Sequence, residues 1–167
     1  MKKIKIIGID PGMAIVGYGI IETPFNKTCF KEMKMKKVGF ISTPKDYPFE
    51  KRLYILEKKF LKLLKETEPQ IAIVENLFFF KNKKTAIKVA EATGVIRLSL
   101  KKRKIKIMDI SPLEVKKILL KNGKAKKNEI QKRVKEILKL KKIILPDDAS
   151  DALAIAIAGI KKYGPFS

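Results

Sequence analysis

Acids are scarce in this chain, and three short stretches place them where a regular run has to stop or start. In GIDPG, Asp10 ends the apolar run KIKIIGI at the Pro11-Gly12 turn. In QIAIVEN, Glu75 closes a second apolar run. In DDASDALAIAIAGIKK, Asp148 and Asp151 stand at i, i+3 at the head of an alanine-rich helix, so both project from one face of its first turn. Each has an ordinary reading. Asp-Pro-Gly is a common turn, Glu75 suits a solvated strand end, and Asp147 and Asp148 suit a helix cap with Asp151 facing the dipole. Gathered at one place, the acids would repel one another unless a cation sat among them. Oxygen ligands alone are what Mg²⁺ or Mn²⁺ prefers. The chain has no histidine, and its one cysteine, Cys29, can form neither an internal disulfide nor a zinc site.

The elements that must position these acids follow from the hydrophobic pattern. KIKIIGID reads as a buried strand, AIVGYGII as a second, and CFKEMKMKKVGFIS, alternating apolar and basic residues, as a third with one solvated face. These three make an antiparallel meander. Leu53, Leu56, Phe60, Leu63 and Leu64 then take helical spacing until Pro69, and QIAIVEN is a fourth strand. KTAIKVAEATGVIRLSLKK is a helix with Ala86, Ala90 and Gly94 on one face, and KIKIMDI is a fifth strand. SPLEVKKILLK opens with Ser111 as cap and Pro112 at the first helical position. KKNEIQKRVKEILKL and DDASDALAIAIAGIKK are two further helices. The order β-β-β-α-β-α-β-α-α-α, without repeat or linker, predicts an α/β fold with a five-stranded mixed sheet flanked by helices, residues 1–167 forming one domain. Ligands of such sheets bind beyond the carboxyl ends of parallel strands. If the first and fourth strands are parallel neighbours, Asp10 and Glu75 lie side by side there.

Charge narrows the partner. Lysine and arginine number 39 against 17 acids, a net charge of +22, and 46% hydrophobic residues suffice for a sizeable core. The basic residues recur along the whole chain, and ion-pair networks would need acids in comparable number, so a polyanion is expected. No stretch approaches the roughly 20 apolar residues of a spanning helix, and the basic start MKK meets Asp10 too soon for a signal peptide. The expectation is a cytoplasmic protein; nucleic acid and an anionic membrane surface both qualify as the polyanion, and the lack of a spanning stretch argues for no membrane association.

GIDPG followed by GYGII, then IVENLFFFKN, then DDASDALAIAIA, resembles the RuvC family of Holliday junction resolvases in order and spacing over nearly the whole chain. The resemblance implies a ribonuclease H-like fold, a homodimer, and cleavage of four-way junction DNA in recombination and repair. The matching metal ligands are Asp10, Glu75, Asp148 and Asp151. They would hold two Mg²⁺ or Mn²⁺ ions about 3.5 to 4 Å apart, activate a water for in-line attack, and leave 5′-phosphate ends. Between Asp147 and Asp148 spacing does not decide; the family pattern selects Asp148 and leaves Asp147 at the helix entrance, capping it or facing solvent. Lys116 and Lys127 occupy places where the family has basic residues near the scissile phosphate, although a solvated helix face would account for both. Two departures stand out. Gly159 takes the place of a threonine that many members follow with a histidine, and the chain stops at Ser167 without a basic extension.

Phe78, Phe79 and Phe80 are adjacent and run into KNKK, so no regular element can bury all three rings on one face. Aromatics beside lysine suit base stacking at a junction centre, and the resemblance assigns that part to Phe78, with Lys81, Lys83, Lys84 and Lys124 on the DNA-binding surface. A core plug is the other reading of Phe78. Ala86, Ala90 and Gly94 would let a partner helix approach closely; without the resemblance, packing on the chain's own sheet is the simpler account. Two rivals to the resolvase reading are a ribonuclease H-like nuclease with another substrate and a non-catalytic binder of branched DNA. Whether a branch-migration motor is a partner stays open.

Overall fold

The computed structural model describes residues 2–25, 30–76 and 83–164, with backbone alone for 83–85. Phe78, Phe79, Phe80, Lys81 and Cys29 lie outside the described residues, as do the side chains of Lys83 and Lys84. The elements are β1 (Lys3–Asp10), β2 (Ile15–Pro24), a 3₁₀ turn (Phe30–Glu32), β3 (Lys34–Ser42), α1 (Phe49–Thr67), β4 (Ile71–Glu75), α2 (Lys83–Lys102), β5 (Lys106–Ile110), α3 (Pro112–Leu120), α4 (Lys127–Ile137) and α5 (Asp147–Tyr163). This is the predicted order with one adjustment. The third strand begins only at Lys34, because Phe30 to Glu32 turn through the 3₁₀ segment.

The sheet runs β3-β2-β1-β4-β5, antiparallel across the first three strands and parallel from β1 through β4 to β5. Alternation along β1 divides the core. Ile4 and Ile6 face a layer built from α3, α4 and α5, whereas Ile7 and Ile9 face one built from α1 and α2. Both faces of the central strands are therefore covered, which is why β1 and β4 read as near-continuous apolar runs. At the edge, β3 buries only Ile41, and its lysines face outward.

Two helices decide how the functional end is built. α5 is buried from Ala149 to Ile160 except at Asp151 and lies against the strands beneath it. A Cβ at Gly8 would fall 2.1 Å from the Ala152 carbonyl oxygen, and one at Gly17 would fall 2.0 Å from that of Asp148. Glycine on the strands and alanine on the helix thus press the first turn of α5 against the ends of β1 and β2. α2 meets the sheet through Ala92, Ile96 and Leu100, all buried. Its small-residue face is not the packing face: Ala90 and Gly94 are exposed, and a Cβ at Gly94 would meet nothing within 4 Å.

Candidate active site

The parallel pairing of β1 with β4, in register from Ile6–Ile71 to Ile9–Val74, brings Asp10 and Glu75 to the same end of adjacent strands. The seated first turn of α5 adds Asp151. These three acids, with Lys116 of α3 and Lys127 of α4, line one cavity of about 300 Å³ whose apolar wall includes Val115, Ile130 and Ile155. Asp148 stands beside the cavity, close enough that its charge acts on both Asp10 and Asp151. Five of the six residues expected to do chemistry therefore line the cavity, and the sixth adjoins it. Lys124 is exposed in the turn before α4 and is not part of the lining.

The electrostatics are those of negative charge without enough compensation. Burial, then repulsion from Asp151 and Asp148, raises the Asp10 carboxyl to about 7. Burial, then repulsion from Asp10 and Asp151, raises Glu75 to about 7. Burial also raises Asp151, against the opposing hydrogen bond from Lys127. Groups shifted by desolvation and by like charges in one cleft are the pattern of a functional site.

Lys127 supplies the compensation that is present. Its Nζ lies 2.9 Å from Asp151 Oδ2 and 3.3 Å from Asp147 Oδ2. Burial works against its charge, but the carboxylates of Asp151 and Asp147 outweigh that and raise its pKa. Asp147 is held in turn by Gln131, whose Nε2 donates to Asp147 Oδ1 at 2.9 Å. Of the two expectations for Asp147, the cap is not found, since the cap position is Pro146 and no side chain caps the helix, whereas the solvent-facing position is: Asp147 is exposed and from there grips Lys127. Among the described residues no group of acids is gathered tightly enough to enclose a cation as it stands. The carboxylates line the cavity wall, and Asp151 is turned towards Lys127.

Sequence reasoning missed a second contact. Arg97 of α2 donates to Asn76 Oδ1 at 3.2 Å and pairs with Asp109 of β5, while the Asn76 amide donates to the Ile110 carbonyl at 2.8 Å. Together they fix the chain immediately after Glu75. Only the isolated arginine in the apolar stretch GVIRLSL could have signalled it. Gly159 also finds its reason: a Cβ there would lie 2.5 Å from Ile73 Cγ1, so its place on α5 sits directly against β4.

A family model described as Crossover junction endodeoxyribonuclease RuvC matches residues 6–159. The Crossover junction endodeoxyribonuclease RuvC of Thermosipho melanesiensis is 45% identical over 152 residues, covering 91% of this chain and 94% of that protein. That of Thermotoga maritima is 46% identical over 156 residues, covering 93% and 90%. A solved structure of Thermus thermophilus RuvC in complex with Holliday junction substrate superimposes with a TM-score of 0.85 at 27% identity, covering 93% of this chain and 92% of that one. The acid-lined cavity at the ends of β1 and β4 thus stands on a ribonuclease H-like fold, and the chain belongs to the RuvC family of crossover junction endodeoxyribonucleases.

Proposed function

We propose that this endonuclease resolves Holliday junctions by paired hydrolysis of two strands, with Asp10, Glu75, Asp148 and Asp151 as ligands of divalent cations and two copies of the chain acting on one junction. The observation that carries this reading is one cavity shared by Asp10, Glu75 and Asp151 from three elements, with Lys116 and Lys127 in the same lining. An all-oxygen donor set with two carboxyls raised to about 7 fits a hard cation, which would relieve the repulsion that raises them. When bound, two Mg²⁺ or Mn²⁺ ions would activate a water for in-line attack on phosphorus and stabilise the departing 3′ oxygen, leaving 5′-phosphate ends.

The chain's own residues do the rest. For Asp151 to serve as a ligand it must turn from Lys127, which frees the ammonium to face the phosphate. Lys116, on the α3 wall, would meet the charge that builds on the phosphoryl oxygens in the transition state. Val115, Ile130 and Ile155 keep that wall apolar, which strengthens these interactions.

Around this centre, Phe78 would stack on bases at the crossover, and Lys81, Lys83, Lys84 and Lys124 would hold phosphates, an assignment resting on the family motif and the +22 charge. The homodimer reading is supported by α2, where Ile87 is 62% and Leu98 55% exposed beside the exposed Ala90 and Gly94. Reading residues 1–167 as one domain rests on the single sheet and its two covered faces. No helix among the described residues is long and apolar enough to cross a membrane, and a DNA substrate suits a cytoplasmic site of action.

The test is incubation of the chain with a synthetic four-way junction and Mg²⁺, mapping cuts on each strand beside duplex DNA and an RNA/DNA hybrid. Two symmetry-related nicks with ligatable 5′-phosphates, confined to the junction, are expected. Equal cutting of duplex or hybrid would overturn the substrate assignment.

A further inference from the structure

The grip on Lys127 has two halves, and only one belongs to the acid set already described. Asp151 at 2.9 Å is a proposed cation ligand; Asp147 at 3.3 Å is not. Asp147 and Asp151 are i, i+4 on α5, and Lys127 and Gln131 are i, i+4 on α4, so two helix faces meet with complementary groups. Gln131 spends its amide on Asp147 at 2.9 Å, which fixes the carboxylate and leaves its other oxygen for the ammonium. Both helices present their first turns here, so the contact joins two places where the backbone is already set.

We propose that Asp147 is a positioning residue for Lys127: braced by Gln131, it keeps the ammonium at the cavity once Asp151 turns to a cation. This rests on the reading of Lys127 and Asp151 given above. With Asp151 engaged elsewhere, a lysine held by nothing would spread over its rotamers, at an entropic cost each time it was needed. A second carboxylate outside the ligand set retains it without competing for the cation. The half-exposed lysine, at 52% side-chain exposure, has the freedom that makes such a tether necessary.

The chain carries its own controls. In protein labelled with ¹³C-lysine, the Lys127 ε-carbon is identified by its loss in Lys127→Met, and its mobility is read by relaxation with Mg²⁺ present. The ε-carbon should be ordered in the wild type and in Asp147→Glu, and mobile in Asp147→Asn. Junction cleavage under single-turnover conditions should fall about fivefold in Asp147→Asn, the size expected for one partly exposed charge contact. Asp147→Asn added to Lys127→Met should cause no further fall, as for two residues acting through one interaction. Junction affinity and melting temperature should stay at wild-type values. Equal order of Lys127 in the wild type and Asp147→Asn, or effects of the two substitutions that multiply, would overturn the proposal. Wild-type cleavage by Lys127→Met would instead remove Lys127 from the catalytic reading, and the relaxation measurement would still decide whether Asp147 holds it.

Discussion

Glu75 and Glu114 stand on neighbouring elements, at the end of β4 and in the first turn of α3, and their carboxyls are shifted in opposite directions. Glu114 is lowered to about 2, first by the Lys162 hydrogen bond and then by the backbone amide of Ser111. Lys162 Nζ lies 2.7 Å from one oxygen, the Ser111 amide lies 2.8 Å from the other, and the Ser111 hydroxyl in turn accepts from the Glu114 amide at 3.3 Å. Glu75, raised to about 7, is buried beside Asp10 and Asp151, and the charge of Lys127 offsets this only in part. One acid fastens a helix start; the other stores repulsion at a sheet edge. A carboxylate that the fold satisfies is structural, and one that the fold leaves short of partners is waiting for a ligand.

Substitution of the unsatisfied acids should have the largest effect. Asp10→Asn or Glu75→Gln should reduce Mg²⁺-dependent junction cleavage by about a thousandfold or more, since each removes a ligand from the charge-stabilising centre. Junction binding should persist, because it rests on lysine and phosphate, and should weaken steeply as salt rises. Filter binding in EDTA beside a cleavage assay checks both.

A smaller but still decisive effect concerns the outward face of α2. Ile87→Glu combined with Leu98→Glu should convert a dimer into monomers in sedimentation, with single nicks replacing paired ones, while the melting temperature of the monomer stays close to that of the wild-type fold. Retention of the dimer would move the partner surface elsewhere.

Stability against pH sharpens the contrast between the two glutamates. A carboxyl whose folded pKa is raised binds a proton in the native state that the unfolded chain has released. In metal-free protein, Asp10 and Glu75 therefore cost stability as pH rises from their ordinary values of 3.8 and 4.5 to about 7. The loss between pH 5 and pH 7.5 should be on the order of 5 kcal/mol for the pair and should be largely removed in Asp10→Asn/Glu75→Gln, as urea titrations at those two pH values would register. Glu114 has the opposite sign. Its lowered pKa contributes stability above about 4.5 that is lost as pH falls towards 2. Glu114→Gln should cost about 1 kcal/mol at pH 7, through the weakened cap, with cleavage unchanged well below the melting temperature.

Much of this arrangement is legible in the chain because it is written in local patterns. Apolar runs that end at Asp10 and Glu75 mark two strand ends, and one parallel pairing makes them neighbours. DASDALAIA carries both the i, i+3 acids and the small residues that let α5 lie on Gly8 and Gly17. The grip of Asp147 on Lys127 is different in kind. It joins residues twenty apart through the packing of α4 on α5, and nothing in KKNEIQ alone says which helix its basic face meets. Arg97 is hidden for the same reason: its partners, Asn76 and Asp109, come from β4's exit and from β5. The small residues of α2 illustrate the limit from the other side. Their spacing is compatible with either a sheet or a partner, and only the burial of Ala92, Ile96 and Leu100 reveals which face the sheet takes.

The central claim is that the repelling carboxyls at the ends of β1 and β4 form a cation site, and proton counting during Mg²⁺ binding tests it most directly. Calorimetric titration of the metal into DNA-free protein at pH 6.5, in two buffers of different ionisation enthalpy, gives the number of protons released. With Asp10 and Glu75 raised to about 7, binding at that pH should release about one and a half protons in the wild type and far fewer in Asp10→Asn/Glu75→Gln. Mg²⁺ binding with no proton release, or with the same release in that double variant, would contradict the account.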